Sequence, residues 1–242
     1  LLKCKSDPVY FFKKYCFISH PQRGKIHFNT FPFQDKVLKI IGKHPYSIIL
    51  KSRQLGISTL SAGHALWLMI FHENKNVLAL ATTQATARNL VDKVQFMYDN
   101  LPSWMRVEST EYNKLSLVLK NGSGIKAKSS SPDAARSEAV SLLIIDEAAF
   151  IDNIEETWAS AQQTLATGGG AIVLSTPNGI GNWFHMMWAK AEAAENDFIP
   201  IKLPWDLHPE RDKTWRKKQD ELLGPRMAAQ ECDCNFNSSG TT

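Results

Sequence analysis

The sequence predicts an α/β fold whose central sheet is mainly parallel and is flanked by helices. Short apolar runs alternate with longer stretches of helical periodicity, which is the pattern of buried strands joined by crossover helices. The runs are aliphatic and bounded by turn or polar residues, and they cover residues 46–50, 76–81, 142–145 and 171–174. The helical stretches cover residues 58–72, 84–100, 154–165 and 182–195.

One further segment predicts an antiparallel hairpin laid beside the parallel strands. Residues 114–119 alternate polar and apolar side chains, and residues 121–124 read Asn-Gly-Ser-Gly, a strong turn signal. The extended pattern resumes at residues 125–128. We therefore expect an antiparallel hairpin as an addition to the parallel core.

Composition excludes several classes of protein. The chain has 242 residues, of which 28 are Lys or Arg and 24 are Asp or Glu, so its formal net charge is +4. Hydrophobic residues at 43% and charged residues at 21% are typical of a globular protein rather than of a disordered or collagen-like chain. No run approaches the roughly 18 apolar residues of a membrane span, and the first residues do not form a secretion signal. We expect neither a membrane protein nor an exported one.

The spacing of the four cysteines predicts free thiols. Cys4 and Cys16 lie near one end of the chain, and Cys232 and Cys234 lie near the other. A single residue separates the second pair, whereas structural zinc sites usually have two or more between their ligands. Reduced cysteines are typical of a reducing compartment.

The chain is expected to form one domain with short extensions. No internal repeat, low-complexity tract or Pro/Gly linker interrupts it before residue 235. We expect an N-terminal arm at residues 1–30, the main domain at residues 31–234 and the start of a linker at residues 235–242.

Two adjacent carboxylates follow the most apolar of the predicted strands. Residues 142–145 are four aliphatic residues that lead directly into Asp146 and Glu147. Open α/β sheets bind ligands at the carboxyl ends of such strands, so both acids are expected to face a crevice. In a nucleotide-hydrolysing site Asp146 would hold Mg²⁺ and Glu147 would polarise the attacking water. The plainer interpretation is a strand that ends in polar residues or caps a helix.

The first predicted strand leads into a loop that partly matches a phosphate-binding loop. Strand, loop and helix follow in the order that lets backbone N–H groups and a helix N-terminus surround an anion. Against the pattern G-x-x-x-x-G-K-[ST], Gly56 and Ser58 match, whereas Lys51 replaces the first glycine and Ile57 the lysine. The loop comprises Lys51, Ser52, Arg53, Gln54, Leu55, Gly56, Ile57, Ser58 and Thr59.

Isoleucine at position 57 removes the cation that normally neutralises a bound phosphate. A charge about 4 Å from a phosphate oxygen contributes roughly 4 kcal/mol at an effective dielectric constant near 20. Lys51, where the strand enters the loop, and Arg53, within the loop, are the available replacements. We hypothesise that one or both take this role, with Lys51 favoured because it is the one lysine of the loop.

A third polar strand end follows residues 171–174. It offers hydroxyls and an amide before a sharp turn, and it comprises Ser175, Thr176, Pro177, Asn178 and Gly179. By itself such a segment is typical of a plain turn. Three polar strand ends in the order loop, acids, hydroxyls nevertheless describe a P-loop NTPase of the additional-strand, RecA-like or helicase-like type.

Two isolated side chains are candidates for the same site. Arg136 lies in a Ser-rich loop before the acid-bearing strand, where it could neutralise charge in a transition state or lie solvated on the surface. Gln34 follows Phe31 and Phe33, and its amide offers the paired donor and acceptor that an adenine edge requires. An aromatic ring beside it would be available for stacking.

In combination these motifs resemble the large terminase subunit of tailed bacteriophages, the ATPase that pumps DNA into procapsids. The likeness rests on Ser-Arg-Gln-Leu-Gly at residues 52–56 and Ser-Ser-Pro-Asp-Ala-Ala-Arg at residues 130–136. It rests equally on Ile-Ile-Asp-Glu-Ala-Ala-Phe-Ile at residues 144–151 and Ser-Thr-Pro-Asn-Gly at residues 175–179. The motifs keep their order over nearly the whole chain.

The resemblance implies that ATP and Mg²⁺ are the ligands of the site. It assigns Gln34 to the adenine, residues 51–59 to the phosphates, and Ser58 and Asp146 to the metal. Some members of the family carry a lysine at the start of the loop, which supports Lys51 as the replacement cation.

The resemblance also implies how hydrolysis is used. It assigns Glu147 to the activation of water, Arg136 to the arginine finger and residues 175–179 to the coupling of hydrolysis to DNA movement. The implied partners are double-stranded DNA, the portal protein, the small terminase subunit and further copies of the chain in a ring, expected to be a pentamer. The implied location is the cytoplasm of the infected bacterium and, transiently, the procapsid.

A C-terminal nuclease of RNase H type would follow the point where this sequence stops, so no DNA cleavage is expected of these 242 residues.

Two other functions stay open. A helicase-like DNA-dependent ATPase would use the same Gln34 and the same pair of acids, but it would normally need a second RecA-like domain. A non-catalytic nucleotide- or DNA-binding module would account for Ile57, but it would have no use for Glu147.

Overall fold

A computed structural model of the protein describes residues 1–130, 139–165 and 168–237. The helices in this part of the chain are α1 (Leu2–Ser6), α2 (Pro8–Tyr15), α3 (Pro32–Ile41), α4 (Ile57–Phe71), α5 (Gln84–Asp99), α6 (Ile154–Leu165), α7 (Trp183–Glu192), α8 (Lys213–Leu223) and α9 (Pro225–Asp233). The strands are β1 (Phe17–His20), β2 (Gly24–His27), β3 (Tyr46–Lys51), β4 (Asn76–Ala81), β5 (Ser109–Asn113), β6 (Ser116–Leu119), β7 (Gly124–Ser129), β8 (Leu142–Asp146), β9 (Gly170–Ser175) and β10 (Ile199–Leu203).

The main sheet has eight strands in the order β10-β3-β9-β8-β4-β7-β6-β5. Every neighbouring pair from β10 to β7 is parallel, and β6 and β5 continue the sheet antiparallel. Strand β9 lies between β3, which leads into the loop, and β8, which ends in the acids. This inserted strand is the defining feature of the additional-strand P-loop fold, so the predicted fold class is confirmed.

The predicted central strands are confirmed as β3, β4, β8 and β9, with each end within one residue of its expected place. The predicted hairpin is formed by β6 and β7, which are antiparallel. It continues the sheet, because β7 also pairs in parallel with β4, and β5 adds a further strand. The sheet edge strand β10 was not predicted; its second residue, Pro200, is tolerated at an edge.

The sheet has a buried core on each face. Side chains alternate along a strand, so Ile49 and Ile144 join the core beneath α3, α4 and α5, whereas Ile48 and Ile145 join the core beneath α6 and α7. The same alternation places Lys51 on the face of Ile49 and Asp146 on the face of Ile144. Both polar residues therefore emerge on the side of the sheet that α4 covers.

The first thirty residues contain α1, α2 and a separate antiparallel pair, β1 and β2. Phe11 and Phe12 of α2 are fully buried in the core that α4 shares. A Cβ at Gly63, in the middle of α4, would lie 2.8 Å from the ring of Phe12, so the glycine permits this close approach. The division of the chain at residue 30 stays a prediction.

The four cysteines are free, as expected from their spacing, and all four are buried. Burial raises the pKa of the Cys4, Cys16 and Cys232 thiols, and it raises the pKa of Cys234 to about 12. Across the described ranges, we found no helix with the length and apolar character needed to cross a membrane.

Candidate active site

The three predicted polar strand ends lie side by side at one edge of the sheet. Leu50 of β3 is level with Ser175 of β9, and Leu174 of β9 is level with Asp146 of β8. Because the strands are parallel, their carboxyl ends open into the same crevice. The loop, the hydroxyl segment and the acids are thus neighbours, as the order of the motifs indicated.

Lys51 lies against the second acid of the pair. Its side chain is 6% exposed, and its Nζ donates a hydrogen bond to Glu147 Oε1 over 3.0 Å. A buried ammonium needs a counter-charge, and Glu147 supplies one. Glu147 itself adopts left-handed backbone with a φ of 53°, a conformation that costs a residue other than glycine roughly 1 kcal/mol or more and is concentrated at functional sites.

Asp146 is the more buried acid, and it faces the start of α4. Burial raises the pKa of its carboxyl, while the nearby Lys51 ammonium acts in the opposite direction. The Ser58 side chain hydrogen-bonds the same carboxylate, and the Glu147 backbone N–H donates to Oδ1 over 2.9 Å. A carboxylate oxygen beside a hydroxyl is the kind of oxygen ligand that Mg²⁺ takes from a protein.

This pair fits a magnesium ion that keeps most of its ligands outside the protein. Within residues 1–130, 139–165 and 168–237, no group of three or more His, Cys, Asp or Glu is placed to hold a metal. Mg²⁺ in nucleotide sites usually takes one or two protein ligands and completes its shell with phosphate oxygens and waters. Asp146 and Ser58 match that number of protein ligands.

The loop turns through two left-handed residues. Gln54 has a φ of 56° and Gly56 a φ of 74°. A Cβ at Gly56 would lie 2.8 Å from the Gln34 amide nitrogen. Position 56 therefore requires glycine both for its left-handed backbone and for this close approach. None of the described residues accepts a hydrogen bond from the backbone N–H of Gln54, Leu55 or Gly56. Successive N–H groups in such a conformation form an anion-binding concavity.

Gln34 holds the loop from the side of α3. Its Nε2 donates to the Leu55 carbonyl over 2.8 Å, and its Oε1 accepts from the Phe31 backbone N–H over 3.0 Å. The amide keeps one further N–H and one lone pair, so binding to the loop leaves it able to contact a base. Its predicted place at the adenine stays a prediction.

Arg53 and Glu231 connect the loop to α9. The Arg53 backbone N–H donates to the Glu231 carbonyl over 2.8 Å, and Arg53 Nε lies 3.4 Å from Glu231 Oε2. Burial raises the pKa of the Glu231 carboxyl, and the Arg53 guanidinium opposes this rise. The Arg53 side chain is 70% exposed, unlike that of Lys51. Of the two candidate cations, Lys51 is the one in contact with the acids.

The other loop side chains point in different directions. Leu55 and Ile57 are buried in the core, so a side chain at position 57 is turned away from the crevice. The Ser52 hydroxyl donates to the Glu231 carbonyl over 3.1 Å. Thr59 lines a cavity of about 470 Å³ beside the loop, together with Gln34, His208 and residues of β2. The Phe31 ring borders this cavity and meets His208 edge to face, with centroids 4.8 Å apart.

The hydroxyl segment is bonded to the turn that follows the acids. Ser175 Oγ accepts from the Ala149 backbone N–H over 3.1 Å, and Asn178 Nδ2 donates to the Ala149 carbonyl over 3.0 Å. Thr176, Pro177 and Gly179 are buried around these contacts. Residues 175–179 and the turn that follows the acids are thus directly hydrogen-bonded to each other.

The family of the chain follows from a match over most of its sequence. A family profile described as "Terminase large subunit, T4likevirus-type, N-terminal" matches residues 48–242. The chain belongs to this family. The terminase assignment agrees with the resemblance drawn from the motifs.

Solved structures of phage terminases share the fold. The Thermus phage P74-26 large terminase ATPase domain is 23% identical, with a TM-score of 0.64 over 80% of this chain and 89% of that one. The HK97 bacteriophage large terminase is 17% identical, with a TM-score of 0.75 over 98% of this chain and 55% of that one. The large terminase of a further thermophilic bacteriophage, in complex with ADP, is 14% identical, with a TM-score of 0.69 over 86% of this chain and 54% of that one. The chain thus spans about half the length of the last two proteins.

Two residues of the terminase domain contact the loop but carry no recognisable signal in the sequence. Arg211 donates to loop carbonyls, and Glu231 accepts from Ser52 and Arg53. Arg211 lies in a charged stretch that is typical of a solvated segment, and Glu231 has no recognisable motif around it. The predicted arginine finger, Arg136, lies outside the described residues, and its role stays a prediction.

Proposed function

We propose that this terminase domain is an ATPase motor that hydrolyses ATP to move double-stranded DNA into the procapsid. The observation that carries the proposal is the buried Lys51 ammonium in contact with Glu147, at the edge where the loop N–H groups and Asp146 converge. A cation, two acids and an array of backbone donors are the parts that phosphoryl transfer requires. The thermophilic bacteriophage terminase solved with ADP and with ATP-gamma-S supports nucleotide binding by this fold.

In this proposal each part of the site has a separate task. The N–H groups of residues 54–56 bind the phosphates, and Lys51 supplies the charge that a lysine at position 57 would normally provide. Asp146 and Ser58 would hold Mg²⁺, which when bound neutralises developing charge on the phosphate oxygens. The cavity beside Gln34 and Phe31 would accept the base.

Glu147 is the proposed general base. It would accept a proton from the attacking water, because it is the more exposed acid and faces the crevice, with 32% of its side chain exposed. In the structure its carboxylate accepts a hydrogen bond from Lys51 Nζ. Phosphate oxygens would compete for the same ammonium, so nucleotide binding would release Glu147 for its task.

Residues 175–179 would couple ATP hydrolysis to the movement of DNA. Ala149 is hydrogen-bonded to Ser175 and Asn178, so a movement of Glu147 reaches the proposed coupling segment within two residues. We further propose double-stranded DNA, the portal protein, the small terminase subunit and a pentameric ring of this chain as partners. Packaging would take place in the host cytoplasm, on the procapsid. Arg136 would be the arginine finger. We expect no nuclease activity in this domain.

ATP turnover by the purified domain tests the proposal. Glu147→Gln is expected to lower kcat on the order of 10²–10⁴-fold, because it removes the general base, while ATP binding persists. Lys51→Ala is expected to weaken ATP binding, because the phosphates lose their cation. The matched controls are Glu192→Gln and Lys190→Ala, two exposed residues of α7. Parent-like turnover in Glu147→Gln would contradict the proposed mechanism.

A further inference from the structure

The Arg211 side chain, which has no part in the proposed mechanism, hydrogen-bonds the backbone of the loop. Arg211, which lies between β10 and α8, donates from Nη1 to the Arg53 carbonyl over 3.0 Å and from Nη2 to the Gln54 carbonyl over 3.1 Å. Nη1 also makes a longer contact of 3.4 Å with Ser52 Oγ. The guanidinium stacks on Trp215 of α8, with its central carbon 4.4 Å from the ring centroid.

These two carbonyls determine where two N–H groups of the loop point. A trans peptide is planar, so its C=O and its N–H point in opposite directions. A carbonyl of Arg53 held towards Arg211 turns the N–H of Gln54 the other way, and the same holds for the carbonyl of Gln54 and the N–H of Leu55. The third peptide follows the same rule, because Gln34 binds the Leu55 carbonyl and so turns the N–H of Gly56.

Arg211 also accounts for the conformation of the residue between its two acceptors. Gln54 is left-handed, with a φ of 56°, although it carries a side chain. Such a conformation persists where the surroundings impose it, at a cost of order 1 kcal/mol. Arg211 holds the peptide on each side of Gln54, which is the restraint that this conformation requires.

We propose that Arg211 is a positioning residue that orients the N–H groups of Gln54 and Leu55 towards the nucleotide phosphates. The proposal rests on the proposed function, since it specifies how the phosphate-binding loop is kept in its binding conformation. Charge alone does not serve this purpose. A lysine at position 211 would keep the charge, but it lacks the planar fork that donates to two carbonyls at once.

Equilibrium binding of ATP-gamma-S to the purified domain tests the role of the fork. Arg211→Lys is expected to raise the Kd about tenfold, which corresponds to about 1.4 kcal/mol, the order expected when hydrogen bonds that position the loop are lost. The matched control is Arg226→Lys, an exposed arginine of α9, which should keep the parent Kd. Thermal unfolding of each variant checks that the domain stays folded. A parent-like Kd in Arg211→Lys would overturn the proposal.

A double variant separates this role from general support of the structure. Glycine adopts left-handed backbone without strain, so Gln54→Gly in the Arg211→Lys background is expected to recover most of the lost affinity. A side chain that merely stabilised the fold would not be rescued at that position. Failure of the double variant to bind more tightly than Arg211→Lys would overturn the proposal.

A readout without nucleotide keeps the proposal distinct from the proposed function. The NMR Cα chemical shift of Gln54 reports its left-handed backbone in the nucleotide-free domain. We expect this shift to move to an ordinary value in Arg211→Lys and to stay in Arg226→Lys. If the parent bound no nucleotide, the proposed function would fail, and the Gln54 shift alone would decide the proposal: an unchanged shift in Arg211→Lys would overturn it.

Discussion

The two halves of the active site are held in place by different kinds of contact. The acids stand at the end of β8, which is paired along its length with β4 and β9, so the register of the sheet places them. The loop leaves the sheet at Lys51 and is held by side chains and backbone from elsewhere. Arg211 and Glu231, which hold it, lie more than 150 residues further along the chain.

This difference separates stability from affinity. A strand in the middle of a sheet cannot move without disturbing the core on both faces, so damage to the acid half should appear as a loss of folding free energy. The loop half depends on a few hydrogen bonds at the surface of the core. Damage there should cost little stability and should instead change how well the loop binds an anion.

The largest effect is expected from truncation of the strand that carries the acids. Ile144 is fully buried on the same strand as Asp146, so Ile144→Ala should lower the free energy of unfolding by roughly 2–5 kcal/mol through lost burial and a cavity. Urea unfolding measures this change. Leu222→Ala, at a residue that is 66% exposed, should stay within about 0.5 kcal/mol of the parent. The comparison breaks if Ile144→Ala weakens nucleotide binding without lowering stability.

A smaller loss of stability is expected when the pH is lowered. It arises from His64 of α4, the helix that follows the loop. His64 of α4 is buried, its Nδ1 has no hydrogen-bond partner among the described residues, and burial, assisted by the neighbouring His72, lowers its pKa to about 4. An unfolded chain protonates this histidine near pH 6.5, whereas the native domain does not until about pH 4. Stability is therefore lost as the pH falls through this window, by about 2 kcal/mol between pH 7 and pH 5.

Urea unfolding of the parent and of His64→Leu at pH 7 and pH 5 checks this dependence. The leucine variant should lose the part of the slope that His64 contributes, while His72 continues to titrate in both proteins. Equal slopes in the two proteins would show that His64 is protonated in the folded domain. Such a result would place the middle of α4 among the loosely held parts of the domain, together with the loop.

The smallest effect on folding is expected from the loop half. Gln34→Leu removes the donor to the Leu55 carbonyl and the acceptor of the Phe31 N–H, at a net cost of about 1 kcal/mol in stability. The affinity for ATP-gamma-S should fall roughly fivefold or more, because the Gly56 N–H is no longer oriented by the bond between Gln34 and the Leu55 carbonyl. Gln163→Leu on the exposed side of α6 is the control. A stability loss as large as that of Ile144→Ala, with unchanged affinity, would reverse the comparison.

The same contrast explains what the sequence could predict. Strands β3, β4, β8 and β9 are buried on both faces, so each appears as a short aliphatic run and was located within one residue. That the loop, the acids and residues 175–179 belong to one site was predicted from their places at strand ends, whereas the contact between Lys51 and Glu147 appeared only in the structure. The absence of the usual lysine was also visible in the sequence, because Ile57 is apolar where a cation is needed. In the structure the Ile57 side chain is buried.

The contacts that hold the loop could not be predicted in this way. Arg211 stands in a charged stretch, and nothing local distinguishes an arginine that binds two carbonyls from one that is solvated. Its role depends on the packing of α8 and Trp215 against residues more than 150 positions earlier. Strand β10 was missed for a related reason, since a five-residue strand with a proline becomes recognisable when its partner β3 is known.

The burial of all four cysteines makes the domain suitable for site-specific labelling. The thiolate is the reactive form of cysteine, and the raised pKa of these buried thiols keeps them protonated and inaccessible. A cysteine introduced at an exposed position would thus react with a maleimide dye without replacement of the native ones. Ile180, which is 63% exposed and directly follows residues 175–179, would place a fluorophore next to the segment proposed to move.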